Sequence, residues 1–197
     1  APTEIYTLSL HDALPISAER ADIPMFVRWI SDPEVTEHLL LRLPMSLAEE
    51  EIWFEHMISR PAPEHVYVIE AKIPPTQASD EIQWQPIGNT AFISILEIDR
   101  CAEIGIMLGE KSWWNKGYGT ETMRAMLRHG FETLNLHRIW LQVYSNNKRG
   151  IRAYEKAGFQ HEGVYREGHY QAGRYHDVFL MSVLRQEWNS QYLVKGK

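Results

Sequence analysis

Cysteine is almost missing from the chain: Cys101 is the only one among 197 residues. That excludes an internal disulfide framework and any site built from several thiolates, and it agrees with a reducing compartment. Positive charge is in deficit, with 20 Lys and Arg against 26 Asp and Glu and a formal net charge of -6. Non-specific nucleic-acid binding needs basic surface to displace counterions from phosphate, so no nucleic-acid partner is expected. No apolar run approaches the ~20 residues of a membrane-spanning helix, and no basic-then-apolar order opens the chain, so no membrane partner is expected and the expected location is the cytoplasm. His-x-x-x-His pairs are also lacking: His161, His169 and His176 stand eight and seven residues apart, and no metal is expected.

What is present is a composition 44% hydrophobic and 23% charged, enough to bury one core of ordinary domain size. The stretch from Glu4 to Ile16 reads EIYTLSLHDALPI, matching one reading frame of a widely used short-read sequencing adaptor. On this reading residues 1–16 are a non-native segment fused in frame in a metagenomic assembly, and residues 17–197 are a single domain. Such a scar is kept out of functional reasoning. Ile5, Thr7 and Ser9 against Tyr6, Leu8 and Leu10 nevertheless alternate well enough to imitate an edge strand.

From Ser17 onward the periodicity carries information. Met25, Phe26, Trp29 and Ile30 recur at helical spacing after Asp22 and Pro24, with Asp32-Pro33 as the stop. Ser46 and Glu49 form a capping box for a second helix expected to bury Ile52, Trp53 and Met57. Val66 to Ala71 is β-rich, and Ile73 to Pro86 reads as a polar, proline-bearing surface loop. Strands are expected over Ile87 to Ile95 and Ala102 to Leu108, the latter with Ile104, Ile106 and Leu108 on one face and Glu103, Gly105 and Met107 on the other. Met123, Met126, Leu127, Phe131 and Leu134 mark a helix starting near Gly119; Ile139, Leu141 and Val143 mark a strand; Ile151, Tyr154 and Ala157 mark a helix ended by Gly158. Two strands joined around Gly173 complete the expected order. The fold class is therefore α/β in the mixed, α+β sense, a mainly antiparallel central sheet flanked by about four helices.

The most informative stretch is Trp113-Trp114-Asn115-Lys116-Gly117-Tyr118-Gly119-Thr120, between an apolar strand and an amphipathic helix. Glycines allow a tight bend and close approach, and the start of a helix attracts a phosphate. A tight turn without a ligand is the plainer alternative. A Walker-type loop fails because Glu110 stands where its second glycine belongs, and the dinucleotide fingerprint fails because Thr122 stands at its third.

With that segment and with Asn147-Lys148-Arg149-Gly150-Ile151-Arg152-Ala153-Tyr154-Glu155-Lys156-Ala157-Gly158-Phe159, the chain resembles the GNAT acyltransferases, in the branch of ribosomal-protein and spermidine N-acetyltransferases. Trp114 replaces the Arg or Gln that usually opens the family's pyrophosphate motif. The resemblance implies acetyl-CoA as acyl donor, no metal, and transfer of acetyl to a primary amine by direct attack in a ternary complex. The acceptor is a peptide or a small molecule: a protein N-terminus, a polyamine or another small amine. A homodimer is left open.

By the same resemblance Tyr154 is the acid and Glu103 the base, while Trp114, Asn115, Lys116, Gly117, Tyr118, Gly119 and Thr120 hold the pyrophosphate. Backbone near Ile106, Met107 and Leu108 holds the thioester oxygen beside a strand bulge that Gly105 or Gly109 permits. Asn147 and Arg149 join the CoA side, and Glu34, Arg166 and Asp177 lie toward the acceptor. Each has a plainer alternative: packing for Tyr154, helix capping for Asn147, a surface carboxylate for Glu103 and an ion-paired hairpin for Arg166, Glu167 and Asp177. Two rival classes are a CoA-binding protein of this fold that is catalytically weak and a peptide-binding scaffold without CoA affinity.

Overall fold

The computed structural model describes residues 13–39, 45–73 and 82–192. Strand β1 (Ala13–Ser17) is followed by α1 (Ile23–Ile30), the one-turn α2 (Pro33–Thr36) and α3 (Leu47–Ile58). Strands β2 (Tyr67–Ile73), β3 (Gln83–Leu96) and β4 (Cys101–Leu108) come next, then α4 (Tyr118–Arg128), β5 (Arg138–Tyr144) and α5 (Lys148–Ala157). Strands β6 (Gln160–Gln171) and β7 (Arg174–Leu184) and helix α6 (Arg185–Tyr192) close the order. The strands hydrogen-bond in the order β1-β2-β3-β4-β5-β7-β6. The β1–β2, β2–β3, β5–β7 and β6–β7 pairs are antiparallel, and β4–β5 is parallel. This is the mixed, mainly antiparallel sheet expected, with α2 and α6 present beyond the four helices read from periodicity. Among the described residues no helix is long and apolar enough to cross a membrane.

The chain falls into two compact units. One holds the residues up to Ala91 together with Ile106–Ala125, the other Phe92–Gly105 together with the residues from Met126. Strands β3 and β4 run through both.

In the first unit α1 starts with Pro24 in its opening turn and buries Ile23, Phe26, Trp29 and Ile30, the stripe that a 3.6-residue period places on one face. Phe26, Trp29, Ile30 and Val35 pack with Val68 and Met107. The capping box of α3 is formed as expected: Glu49 N–H donates to Ser46 Oγ at 3.3 Å, and Ser46 N–H donates to Glu49 Oε2 at 2.7 Å. Its buried apolar face is Phe54 and Met57, whereas Ile52 is 58% exposed. Ile52 lies two positions from Phe54, about 200° around the helix, so it cannot share that face.

The loop expected over Ile73 to Pro86 is shorter than that reading. Ile73 closes β2, and Gln83, Trp84 and Gln85 pair with Ile73, Lys72 and Ala71. Pro86 faces Glu70 at the irregularity between Ile69 and Glu70, where a residue without an N–H is tolerated. Of the segment read as an adaptor, Ala13 to Ile16 pair with Ala71 to Val68 as an edge strand, and Ala13 is buried. The alternation over Ile5 to Leu10 lies outside the described residues.

In the second unit α4's line continues as a π-helical turn over His129–Thr133. Phe131 is buried against Trp188 of α6, with ring centroids 6.0 Å apart. Leu134 is only half-buried and Leu136 takes the deeper place, because a wider turn shifts the helical phase. The final hairpin turns on Ala172 (φ 50°) and Gly173 (φ 79°), the left-handed pair that suits the twist of a two-residue connection.

Candidate active site

The glycine-bearing segment lies in the first unit. β4 ends at Leu108, and the N–H groups of Gly109 and Glu110 both donate to the Ile87 carbonyl, at 2.8 and 3.0 Å. Two residues therefore face one, which is the count of a β-bulge. The burial of β4 shows the accompanying slip: Ala102 and Ile104 are buried, but the next buried residue is Met107. The expected single face of Ile104, Ile106 and Leu108 is thus corrected, since Ile106 and Leu108 are half-buried on the Ala13, Ile69, Ala71 and Ile87 side. Backbones also come close here, for a Cβ on Gly88 would stand 2.1 Å from the Met107 carbonyl oxygen.

Glu110 anchors the exit from β4. Its Oε1 accepts from Trp29 Nε1 at 2.8 Å and pairs with Arg28. Gly109 is required beneath the same indole, where a Cβ would lie 2.1 Å from the ring. The sequence reading gave Trp29 and Gly109 no joint role; their separation in sequence hides a contact that only the fold creates.

Beyond this anchor Trp114 Nε1 donates to the Leu108 carbonyl at 2.8 Å, tying the loop back to the strand end. The residue that departs from the usual motif therefore fixes the base of the loop. Asn115 (φ 61°) and Gly117 (φ 96°) take left-handed conformations, which is costly for most residues and cheap for glycine. Gly117 faces open space, with no atom within 4 Å of an added Cβ, and at Gly119 the nearest atom is Leu108 Cδ1 at 3.7 Å. Tyr118 meets Trp113 edge-on at 5.1 Å, and Lys116 Nζ stands 5.4 Å from the centre of the Trp113 ring. Thr120 is half-buried and Thr122 fully buried on α4. The loop thus leads into a helix start, the positive end of its dipole, with open space beside Gly117.

Glu34, read toward the acceptor, is exposed and ion-paired with Lys111 at 3.0 Å, while Asp32 reaches the same ammonium at 2.7 Å. The hydrogen bond from Lys111 holds the Asp32 carboxyl below its ordinary range, and the two carboxylates raise the lysine.

The second unit holds the remaining residues. Asn147 caps α5, its Oδ1 accepting the Gly150 N–H at 2.8 Å, and a Cβ on Gly150 would strike that amide at 2.7 Å. Two helical turns on, Tyr154 packs edge-on to Phe159 at 6.0 Å. Burial pushes its hydroxyl up to about 12, with the Arg149 charge opposing in part. Gly158 ends the helix at φ 109°, and Phe159 N–H donates to the Tyr154 carbonyl at 3.0 Å.

Glu103 sits on β4 opposite Trp140 of β5. It is half-buried, and burial raises its carboxyl above the usual range, with a 3.4 Å hydrogen bond from Gln142 pulling the other way. Asp177 serves the hairpin: its Oδ1 accepts the Glu167 N–H at 2.8 Å and its carbonyl accepts the Ser145 N–H at 2.9 Å. Arg166 is exposed on β6. Asn147, Arg149 and Tyr154 are thus brought together on one helix.

Comparison with known proteins bears on the family and the fold. Residues 15–160 match the model of the acetyltransferase (GNAT) domain. The chain is 30% identical over 172 residues to the uncharacterized N-acetyltransferase p20 of Bacillus licheniformis, covering 86% of this chain and 91% of that protein. It is 33% identical over 109 residues to a spermidine N(1)-acetyltransferase of Vibrio cholerae, covering 55% of this chain and 62% of that one. Among solved structures, spermidine N-acetyltransferase from Vibrio cholerae in complex with CoA and spermine superposes with a TM-score of 0.78 at 25% identity over 90% of this chain and 98% of that chain. The RimL ribosomal L7/L12 alpha-N-protein acetyltransferase in complex with CoA shares the fold, with a TM-score of 0.76 at 18% identity over 92% of this chain and 98% of that chain. A domain match over residues 15–160, with a relative aligned over most of both chains, settles the family: the chain belongs to the GNAT acetyltransferases and carries an N-acetyltransferase domain.

Proposed function

We propose that the chain is a cytoplasmic, acetyl-CoA-dependent N-acetyltransferase that moves acetyl onto a primary amine by direct attack. The observation that carries this reading is the start of α4, where Gly117 holds φ 96° with no atom within 4 Å of its would-be Cβ. A pyrophosphate fits a cradle of that kind, since its charge meets the helix dipole and its bulk needs the space a side chain would fill. On this reading Asn115 to Thr120 receive the phosphates, and Trp114 keeps the loop against Leu108.

The reaction needs a neutral amine, a polarised thioester carbonyl and a proton for the departing thiolate. Glu103, raised by burial, takes the amine proton directly or through water. Backbone N–H groups in the Ile106 to Leu108 stretch hold the thioester oxygen as the C–N bond forms. Tyr154 gives its proton to the sulfur as the C–S bond breaks. A hydroxyl pushed up to about 12 stays protonated throughout the neutral range, and Asn147 and Arg149 align the chain leading to that sulfur. Glu34, Arg166 and Asp177 face the acceptor in this reading. Residues 17–197 act as one acetyltransferase domain, with residues 1–16 outside the chemistry.

The relatives named for spermidine support an amine acceptor. The test is thiol release from acetyl-CoA with four acceptor classes: polyamines, peptide N-termini, aminoglycosides and small metabolite amines. Turnover with one class supports the proposal. Tight CoA binding without turnover on any of them would favour a CoA-binding protein of the same fold.

A further inference from the structure

The segment between β5 and α5 decides where Asn147 stands, and its anchors come from the β6–β7 hairpin. Ser145 N–H donates to the Asp177 carbonyl at 2.9 Å, and Asn146 Nδ2 donates to Gln171 Oε1 at 3.3 Å. Tyr144, the last residue of β5, lies face to face with His169 of β6, their rings 3.7 Å apart and 5° from parallel. Both rings are in the interior, His169 at 5% and Tyr144 at 8% exposure. The segment then closes on itself: Asn147 N–H donates to the Tyr144 carbonyl and Lys148 N–H to the Asn146 carbonyl, each at 2.9 Å.

β6 is irregular just before this contact. Its register slips between Tyr165 and His169, and Glu167 takes φ 53°. Asp177 holds that distortion from one side with its carboxylate and the Ser145 N–H from the other with its carbonyl. A bulge of this kind re-aims the residues that follow it, and the residue re-aimed here is His169, directly across from His176. What His169 offers Tyr144 is a flat ring face in stacking contact, which an aliphatic side chain of similar bulk lacks.

We propose that His169 is a positioning residue for the transferase site: stacked on Tyr144, it fixes the Tyr144–Asn147 segment and so the start of α5, which carries Asn147 and Tyr154. The inference rests on the acetyl-CoA reading for its functional consequence and on the hairpin geometry for its structural part. His169 acts through Tyr144 and Asn147 and touches no reacting atom. Gln171, holding Asn146 by one 3.3 Å bond, is the weaker anchor of the same segment.

The test compares wild type, His169→Leu and His169→Phe in the full chain. Leucine fills space without a ring face, and phenylalanine restores the face. Amide hydrogen exchange read at Ser145, Asn147 and Gly150 should quicken by at least about tenfold in His169→Leu, with β5 amides unchanged, and return toward wild type in His169→Phe. The Kd for acetyl-CoA should rise by about tenfold in the leucine variant and recover with phenylalanine. Unchanged exchange in a folded His169→Leu protein would overturn the proposal, as would faster exchange with unaltered acetyl-CoA affinity. A wild-type chain that binds no acetyl-CoA would instead overturn the acetyl-CoA reading, and the exchange comparison would still decide whether His169 holds the segment.

Discussion

Two helices of this molecule begin in opposite ways. At α5 the amide oxygen of Asn147 folds over the helix start and accepts the Gly150 N–H at 2.8 Å, so the place an anion would take is filled by the chain itself. At α4 the approach runs through Asn115 and Gly117 in left-handed conformations, with open space about Gly117. Both starts carry the positive end of a helix dipole. The difference lies in the room about Gly117, and on the proposed function it separates their work: α4 would bind, while α5 would present the side chains that do chemistry.

Substitutions on the two helices should therefore separate kcat from affinity. Tyr154→Phe removes the proton-donating hydroxyl and little volume, so kcat should fall by about 100-fold, ~2.7 kcal/mol, while the Kd for acetyl-CoA changes by less than about twofold. Steady-state kinetics with calorimetry reads both, and full activity would return Tyr154 to a packing role. Gly119→Val should do the reverse, raising the Kd by at least about tenfold, ~1.4 kcal/mol. It should fold normally, since Leu108 Cδ1 at 3.7 Å is the nearest neighbour of an added Cβ. Unchanged calorimetric affinity would break the contrast between the two helix starts.

Asn147→Ala should cost about 1 kcal/mol of stability through the lost cap and weaken acetyl-CoA binding as well. Thermal melts separate the two effects, and a variant less stable but equally avid would confine Asn147 to capping.

The smallest expected effect is a pH dependence. Burial raises the Glu103 carboxyl, so the folded state holds that proton more tightly than the unfolded one. Its contribution to stability is complete below the ordinary carboxylate range and is lost as pH rises through the raised value. Glu103→Gln should then melt at or above wild type near neutrality, with the gap closing on acidification. The low-pH limb of kcat/KM should flatten in the same variant. A limb that persists unchanged would move the base to another carboxylate.

Much of this was legible in the sequence because it is local. Capping by Ser46 and Asn147, termination by Gly158 and the turn at Gly173 each depend on residues within four positions. The Trp114-to-Thr120 segment could be placed between strand and helix for the same reason. What the sequence hides is set by distant partners: hydropathy points Ile52 to the core, although Phe54 and Met57 define the buried face. The Trp29–Glu110–Gly109 anchor joins residues about 80 positions apart, and the His169–Tyr144 stack needs the hairpin to be folded first. The slip along β4 was equally hidden, since alternation in a sequence cannot show where two N–H groups share the Ile87 carbonyl.

The binding role of the α4 start is tested most directly by calorimetry with acetyl-CoA and with S-acetylpantetheine, which keeps the thioester arm and lacks the pyrophosphate. Wild type should bind acetyl-CoA at least about 100-fold more tightly than the truncated thioester, a gap of ~2.7 kcal/mol, and Gly119→Val should narrow that gap by weakening acetyl-CoA alone. Equal affinity for the two ligands in the wild-type protein would contradict the assignment of the open helix start to a pyrophosphate.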